Sequence, residues 1–176
     1  MRAFALSIPV LLLPLTSSAY SAVETAASVP RELVGSWTLV SRSDSTLDGR
    51  PREAEPTLGS DPVGFLVYDS SGHVAVQLMR RDRKTNVAAS AGARGAANNT
   101  AYVGGYDAYF GTAQCDPISH TVKHRLVAAI SPSDVGKELI RHYRVEGDAL
   151  TLEFDATDVR GQQVKRRMTW RRVGLP

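Results

Sequence analysis

The sequence predicts an all-β protein: an eight-stranded antiparallel up-and-down barrel, preceded by a signal peptide. Three observations carry this. Apolar residues recur with period two in short runs, which is the spacing of a strand with one buried face. Glycine, aspartate and serine separate the later runs as tight hairpin turns. No stretch of the chain keeps a helical period for long, and closing the sheet removes the exposed edges an isolated sheet would carry.

The N-terminus has a single basic residue, Arg2, then an apolar run from Ala3 to Leu15, then small residues at Ser17, Ser18 and Ala19. That order is a secretory signal peptide, with cleavage after Ala19, Ser21 or Ala22. The run is about 13 residues and holds Pro9 and Pro14, whereas a membrane span needs roughly 20. The reading is therefore a removed leader over residues 1–22 and a single domain over 23–176, with no stable membrane anchor. No cysteine lies near the cleavage point to carry a lipid. The expected location is secreted or periplasmic.

About 155 residues remain, enough for one core. Cys115 is the only cysteine, so packing must replace disulfides. Losing Arg2 leaves 20 basic against 18 acidic residues, nearly neutral, which argues against a nucleic-acid partner.

The elements follow in order. Leu33 to Arg42 alternates, with Trp37 and Leu39 on one side and Ser36 and Thr38 on the other. Ser43 to Asp61 holds Gly49, Pro51, Pro56 and Gly59 without a period and is expected to be a long loop across one barrel end. Val63–Asp69 and His73–Arg80 flank Ser70, Ser71 and Gly72 as a hairpin. Residues 81–100 are basic and then rich in Ala, Gly and Asn, which predicts a mobile loop. The next segment begins as a helical turn near Tyr102 and becomes a strand near Tyr109. After the turn at Asp116 and Pro117, His120–Ile130 is a β-branched strand, and Ser131–Gly136 turns the chain. Lys137–Val145 and Ala149–Phe154 form a second hairpin, and Val164–Val173 is the closing strand.

These residues resemble a known family. Gly35-x-Trp37 on the first strand and Arg171 and Arg172 in the closing MTWRRV are similar to lipocalins and other calycins. The blocks GFLVYDSSGHVAVQLMR, YDAYFGT, TVKHRLVAAISPSDVGKELIRHYRVEGDALTLEF and MTWRRV resemble the bacterial and fungal lipocalin-like domain family over the whole mature chain. The resemblance implies that Arg171 or Arg172 stacks on Trp37 to close the barrel bottom, with Gly35 beside it. The mid-chain Thr-Asp-Tyr motif of the better-known lipocalins is absent, with Asp107 next to Tyr106 in its place, and their disulfide is missing too.

Candidate chemistry is sparse. His124 alternates with Val122 and Leu126, so an inward face would put an imidazole among apolar groups, as a hydrogen-bonded core histidine or a ligand contact. Arg141 and Tyr143 share a face with Leu139 and Val145, opposite Ile140, His142 and Arg144. If that face lines the interior, Arg141, Tyr143 and Tyr109 are candidates to orient the carboxylate or hydroxyl of a greasy ligand; otherwise they are outer skin.

His120 and His124 stand roughly 13 Å apart on a strand, too far to share an ion. No zinc, nucleophile-elbow or phosphate-loop motif occurs, and no helix terminus activates Cys115. No metal and no cofactor are expected. Lys165, Arg166 and Arg167 split between two strand faces and are expected to serve solvation. The basic run Arg80, Arg81, Arg83 and Lys84 reads as a wet loop, and Asn98-x-Thr100 fits a glycosylation sequon.

The leading functional expectation is an exported protein that binds a small hydrophobic molecule in the barrel. The alternatives are an isomerase or cyclase in which His124 or a tyrosine moves a proton, and a filled-barrel interaction module. Oligomeric state stays open.

Overall fold

A computed structural model describes residues 29–54, 56–82, 105–158 and 161–174. The leader at 1–22, the 81–100 loop beyond Asp82, the Asn98 sequon and Tyr102 lie outside the described residues.

Nine strands follow in chain order: β1 Gly35–Ser45, β2 Pro51–Arg52, β3 Val63–Tyr68, β4 His73–Met79, β5 Tyr106–Asp116, β6 Thr121–Ala129, β7 Glu138–Glu146, β8 Ala149–Thr157 and β9 Gln163–Arg172. All neighbours are antiparallel, and β1 pairs with β9 from Trp37↔Arg172 to Ser45↔Lys165. That pairing closes β1 and β3–β9 into an eight-stranded barrel, while β2 is a two-residue strip beside the end of β1.

The expected loop from Ser43 is corrected at its start. Ser43, Asp44 and Ser45 continue β1, because β9 is long enough to pair with them. Pro51 and Arg52 pair with Ser45 and Asp44 on the edge that β3 leaves free. Farther on, Leu58 drops into the core at 6% exposure, so this connection packs against the barrel end. The helical turn expected before Tyr109 gives way to strand from Tyr106, where Tyr106 to Thr112 pairs residue for residue with β4.

The two barrel ends differ. At the end holding the 69–72, 117–120 and 147–148 turns, the inward positions are apolar: Trp37, Tyr68, Val122, Leu150 and Trp170 are essentially inaccessible. Arg172 closes this end. Its guanidinium lies 4.0 Å from the Trp37 ring centroid and donates to the carbonyls of Val34 and Glu32, while Trp37 Nε1 donates to Leu33 O at 3.0 Å. Arg171, the other candidate, points outward and is exposed. Gly35 beside this stack has φ +136°, and a Cβ there would come within 2.8 Å of the Arg172 guanidinium.

Two irregularities set the opposite end. A bulge between Leu39 and Ser41 shifts the inward parity of β1 from odd to even residues, so Trp37 is followed inside by Arg42 and Asp44. On β6, Val127 is an extra residue opposite the Phe110–Gly111 step. Inward charges therefore gather at this second end.

Candidate ligand-binding site

The barrel wall is incomplete at one seam. β7 and β8 are each nine residues long, yet their ladder runs only from Glu146↔Ala149 to His142↔Glu153. Beyond it, Glu138 to Arg141 stay paired with β6, and Phe154 to Thr157 with β9, so the two strands diverge. Between them lies a cleft of about 820 Å³, with Tyr109, Leu139, Arg141, Phe154, Ala156 and Arg166 among its lining. A separate void of about 90 Å³ inside the barrel shares Asp107, Tyr109, Arg141, Phe154 and Arg166 with the cleft. Those residues form the boundary between the two spaces.

Alternation places each charged group. On β9, Val164, Arg166, Met168, Trp170 and Arg172 share one parity, and Arg166 turns inward with the tryptophan. The expectation that Lys165–Arg167 serves only solvation is thus corrected for Arg166. It forms a bidentate pair with Asp44, Nε to Oδ1 at 2.8 Å and Nη2 to Oδ2 at 2.7 Å, and Arg42 approaches the same carboxylate at 3.8 Å. The Asp44 side chain is almost fully buried, which makes this pairing obligatory.

Arg141 is handled differently. It is 8% exposed, its guanidinium carbon sits 3.8 Å from the Phe154 ring centroid across the diverging seam, and it donates to Tyr109 Oη at 3.2 Å. Tyr109 Oη lies 2.9 Å from His124 Nδ1, and His124 Nε2 lies 2.7 Å from Tyr68 Oη. Arg141, Tyr109, His124 and Tyr68 thus form one continuous chain running from the cleft into the core. Burial, with the Arg141 charge as a smaller contribution, holds the His124 imidazole well below its usual range, so the ring is neutral. Burial pushes the Tyr68 hydroxyl well above its own.

Of the residues singled out from sequence, Arg141 and Tyr109 line both cavities. His124 is fully buried, so its face with Val122 and Leu126 is the inward one, and it lines neither cavity; Tyr109 stands between it and the cleft. Tyr143 is inward too, but belongs to the closed half, edge-on to His120 at 5.6 Å between ring centroids. Cys115 is buried, and burial pushes its thiol up to about 11, so it rests protonated. Sequence reasoning passed over Arg42, Asp44, Phe154 and Arg166. The parity shared with Trp170 and Arg172 was a signal for Arg166; the β1 bulge hid Arg42 and Asp44.

A family model described as a lipocalin-like domain matches residues 34–173. No curated protein matches the chain.

Proposed function

Because this chain belongs to the lipocalin-like domain family, we propose that it is an exported binding protein that takes a small molecule with an apolar body into the β7–β8 cleft. The observation that carries this reading is the early end of the β7–β8 ladder at His142↔Glu153, which opens the wall onto inward-facing side chains. The cleft volume of about 820 Å³ falls among small-molecule sites, which run from roughly 300 to 1,000 Å³. The internal void alone is too small, so the ligand's bulk belongs in the cleft. Leu126, Leu139, Phe154, Ala129 and Ala156 offer it apolar contact. The apolar run after Arg2 supports export.

The test is uptake of N-phenyl-1-naphthylamine, an uncharged dye that fluoresces in apolar surroundings. Wild-type protein is expected to bind it saturably. Ala129→Trp, which fills the cleft beside Tyr109, is expected to weaken uptake at least about tenfold, a loss of about 1.4 kcal/mol, with thermal unfolding confirming an intact barrel. Absence of uptake by the wild type, or equal uptake by the variant, would overturn the site.

A further inference from the structure

Among the described residues three arginines turn into the open end of this barrel, and only two of them make an ion pair there. Arg42 and Arg166 share the Asp44 carboxylate. Arg141 is as deeply buried as Arg42, yet among the described residues it pairs directly with no carboxylate: its contacts are the Tyr109 hydroxyl and the Phe154 ring, and Asp107, which it shares with Arg166, acts on it only through space. A buried guanidinium held by a phenol and an aromatic face is costly unless something else supplies the negative charge.

Hydrogen placement along the chain points to the same spot. Tyr68 is 1% exposed, and its only hydrogen bond among the described residues is with His124 Nε2. Its proton has no other acceptor, so Tyr68 donates to Nε2. The neutral ring then carries its hydrogen on Nδ1 and donates to Tyr109 Oη. That oxygen already accepts from Arg141. With both lone pairs taken, Tyr109 keeps its own proton free for an acceptor in the cavities it lines.

Resting on the binding function proposed above, we infer that the ligand is a monocarboxylate whose head group bridges Arg141 and Tyr109. One carboxylate oxygen accepts the Tyr109 hydroxyl proton; the other accepts an N–H of the Arg141 fork, while the apolar body lies along the β7–β8 cleft. Trp170 Nε1, buried without a partner among the described residues in a side chain that lines the void, is a further donor on the inner side. The charges at the inner end of the site favour a monoanion. The arginines 42, 141 and 166 face the aspartates 44 and 107, leaving one positive charge. The other cleft acids, Asp134, Glu138, Glu153 and Asp155, are paired with Lys137, Lys123, Arg167 and Lys165, so they add no positive charge that a second negative charge on the ligand could answer.

The experiment displaces N-phenyl-1-naphthylamine from the purified protein with octanoate, octanol, octylamine and octyl phosphate. Octanoate is expected to displace at least about tenfold better than octanol, the gain of a charge-assisted pair. Arg141→Gln is expected to abolish that preference, read as the octanoate-to-octanol ratio at the variant's own measured dye affinity, and Tyr109→Phe to reduce it. The wild-type comparison stands even if a variant folds poorly. Octanol or octyl phosphate matching octanoate, or a preference that survives in folded Arg141→Gln, overturns the carboxylate assignment and leaves the binding function intact. No dye uptake and no octanoate binding by calorimetry overturns both.

Discussion

Arg172 shows how much one side chain does at the closed end. It covers the Trp37 face and satisfies two carbonyls from the segment that enters β1, so it ties the start of the barrel to its last strand. The stacked cation contributes about 1 kcal/mol and its hydrogen bonds about as much again or more, so Arg172→Ala is expected to lose about 2–3 kcal/mol in denaturant unfolding. Arg172→Lys keeps the charge and loses the planar stack and the fork, and should recover only part of that. Equal midpoints for Arg172→Ala and wild type would show the contact to be incidental. Gly35 belongs to the same device: its positive φ strains any side chain, and a Cβ there would stand 2.8 Å from the Arg172 guanidinium and push it off the Trp37 stack.

The strands owe their interior to alternation, and the exceptions decide where function sits. At the β5–β6 step, a Cβ on Gly111 would stand 1.9 Å from Arg125 O, a backbone atom that cannot swing aside. Gly111→Ala is therefore expected to force the two strands apart and cost about 3 kcal/mol or more, read as a lowered midpoint or loss of folded protein. The β1 bulge acts the other way, keeping the strand while rotating its remainder by one residue. Without it, Ser41 and Ser43 would face inward in place of Arg42 and Asp44, and Arg166 would lose its partner. The β7–β8 hairpin was legible in KELIRHYRV, the Glu146–Asp148 turn and ALTLEF. Its early divergence was not, because both halves keep a period of two and the separation arises only from which outer neighbour each strand follows.

Over the whole molecule, His124 links stability to pH. Its folded-state pKa lies below the unfolded value near 6.5, so below that value the unfolded chain takes up a proton the native core refuses. Stability is full above 6.5 and falls as pH drops, by up to about 1.4 kcal/mol per pH unit until the buried ring itself titrates. Carboxylates with lowered values, such as Asp69 at about 2 and Asp116, add their losses at more acidic pH. Denaturant midpoints between pH 5 and 7 should therefore slope in the wild type and flatten in His124→Gln, whatever that variant's absolute stability; matching slopes would remove His124 as the cause.

Period two, turn residues and the Gly35-x-Trp37 and late-arginine pair by themselves determined the antiparallel barrel and the family, and set His124 with Val122 and Leu126, and Arg141 with Tyr143, on common strand faces; which faces turn inward came from the tertiary structure. The former are local properties, since a strand's alternation and a hairpin's turn are written within a few residues. Only the tertiary structure decided that Arg172 closes the end, that Asp44 pairs with Arg166, that Tyr109 screens His124, and that the wall opens between β7 and β8. Each of those depends on register and bulges between strands far apart in sequence, and a one-residue shift in pairing exchanges inside for outside without changing any strand's own pattern.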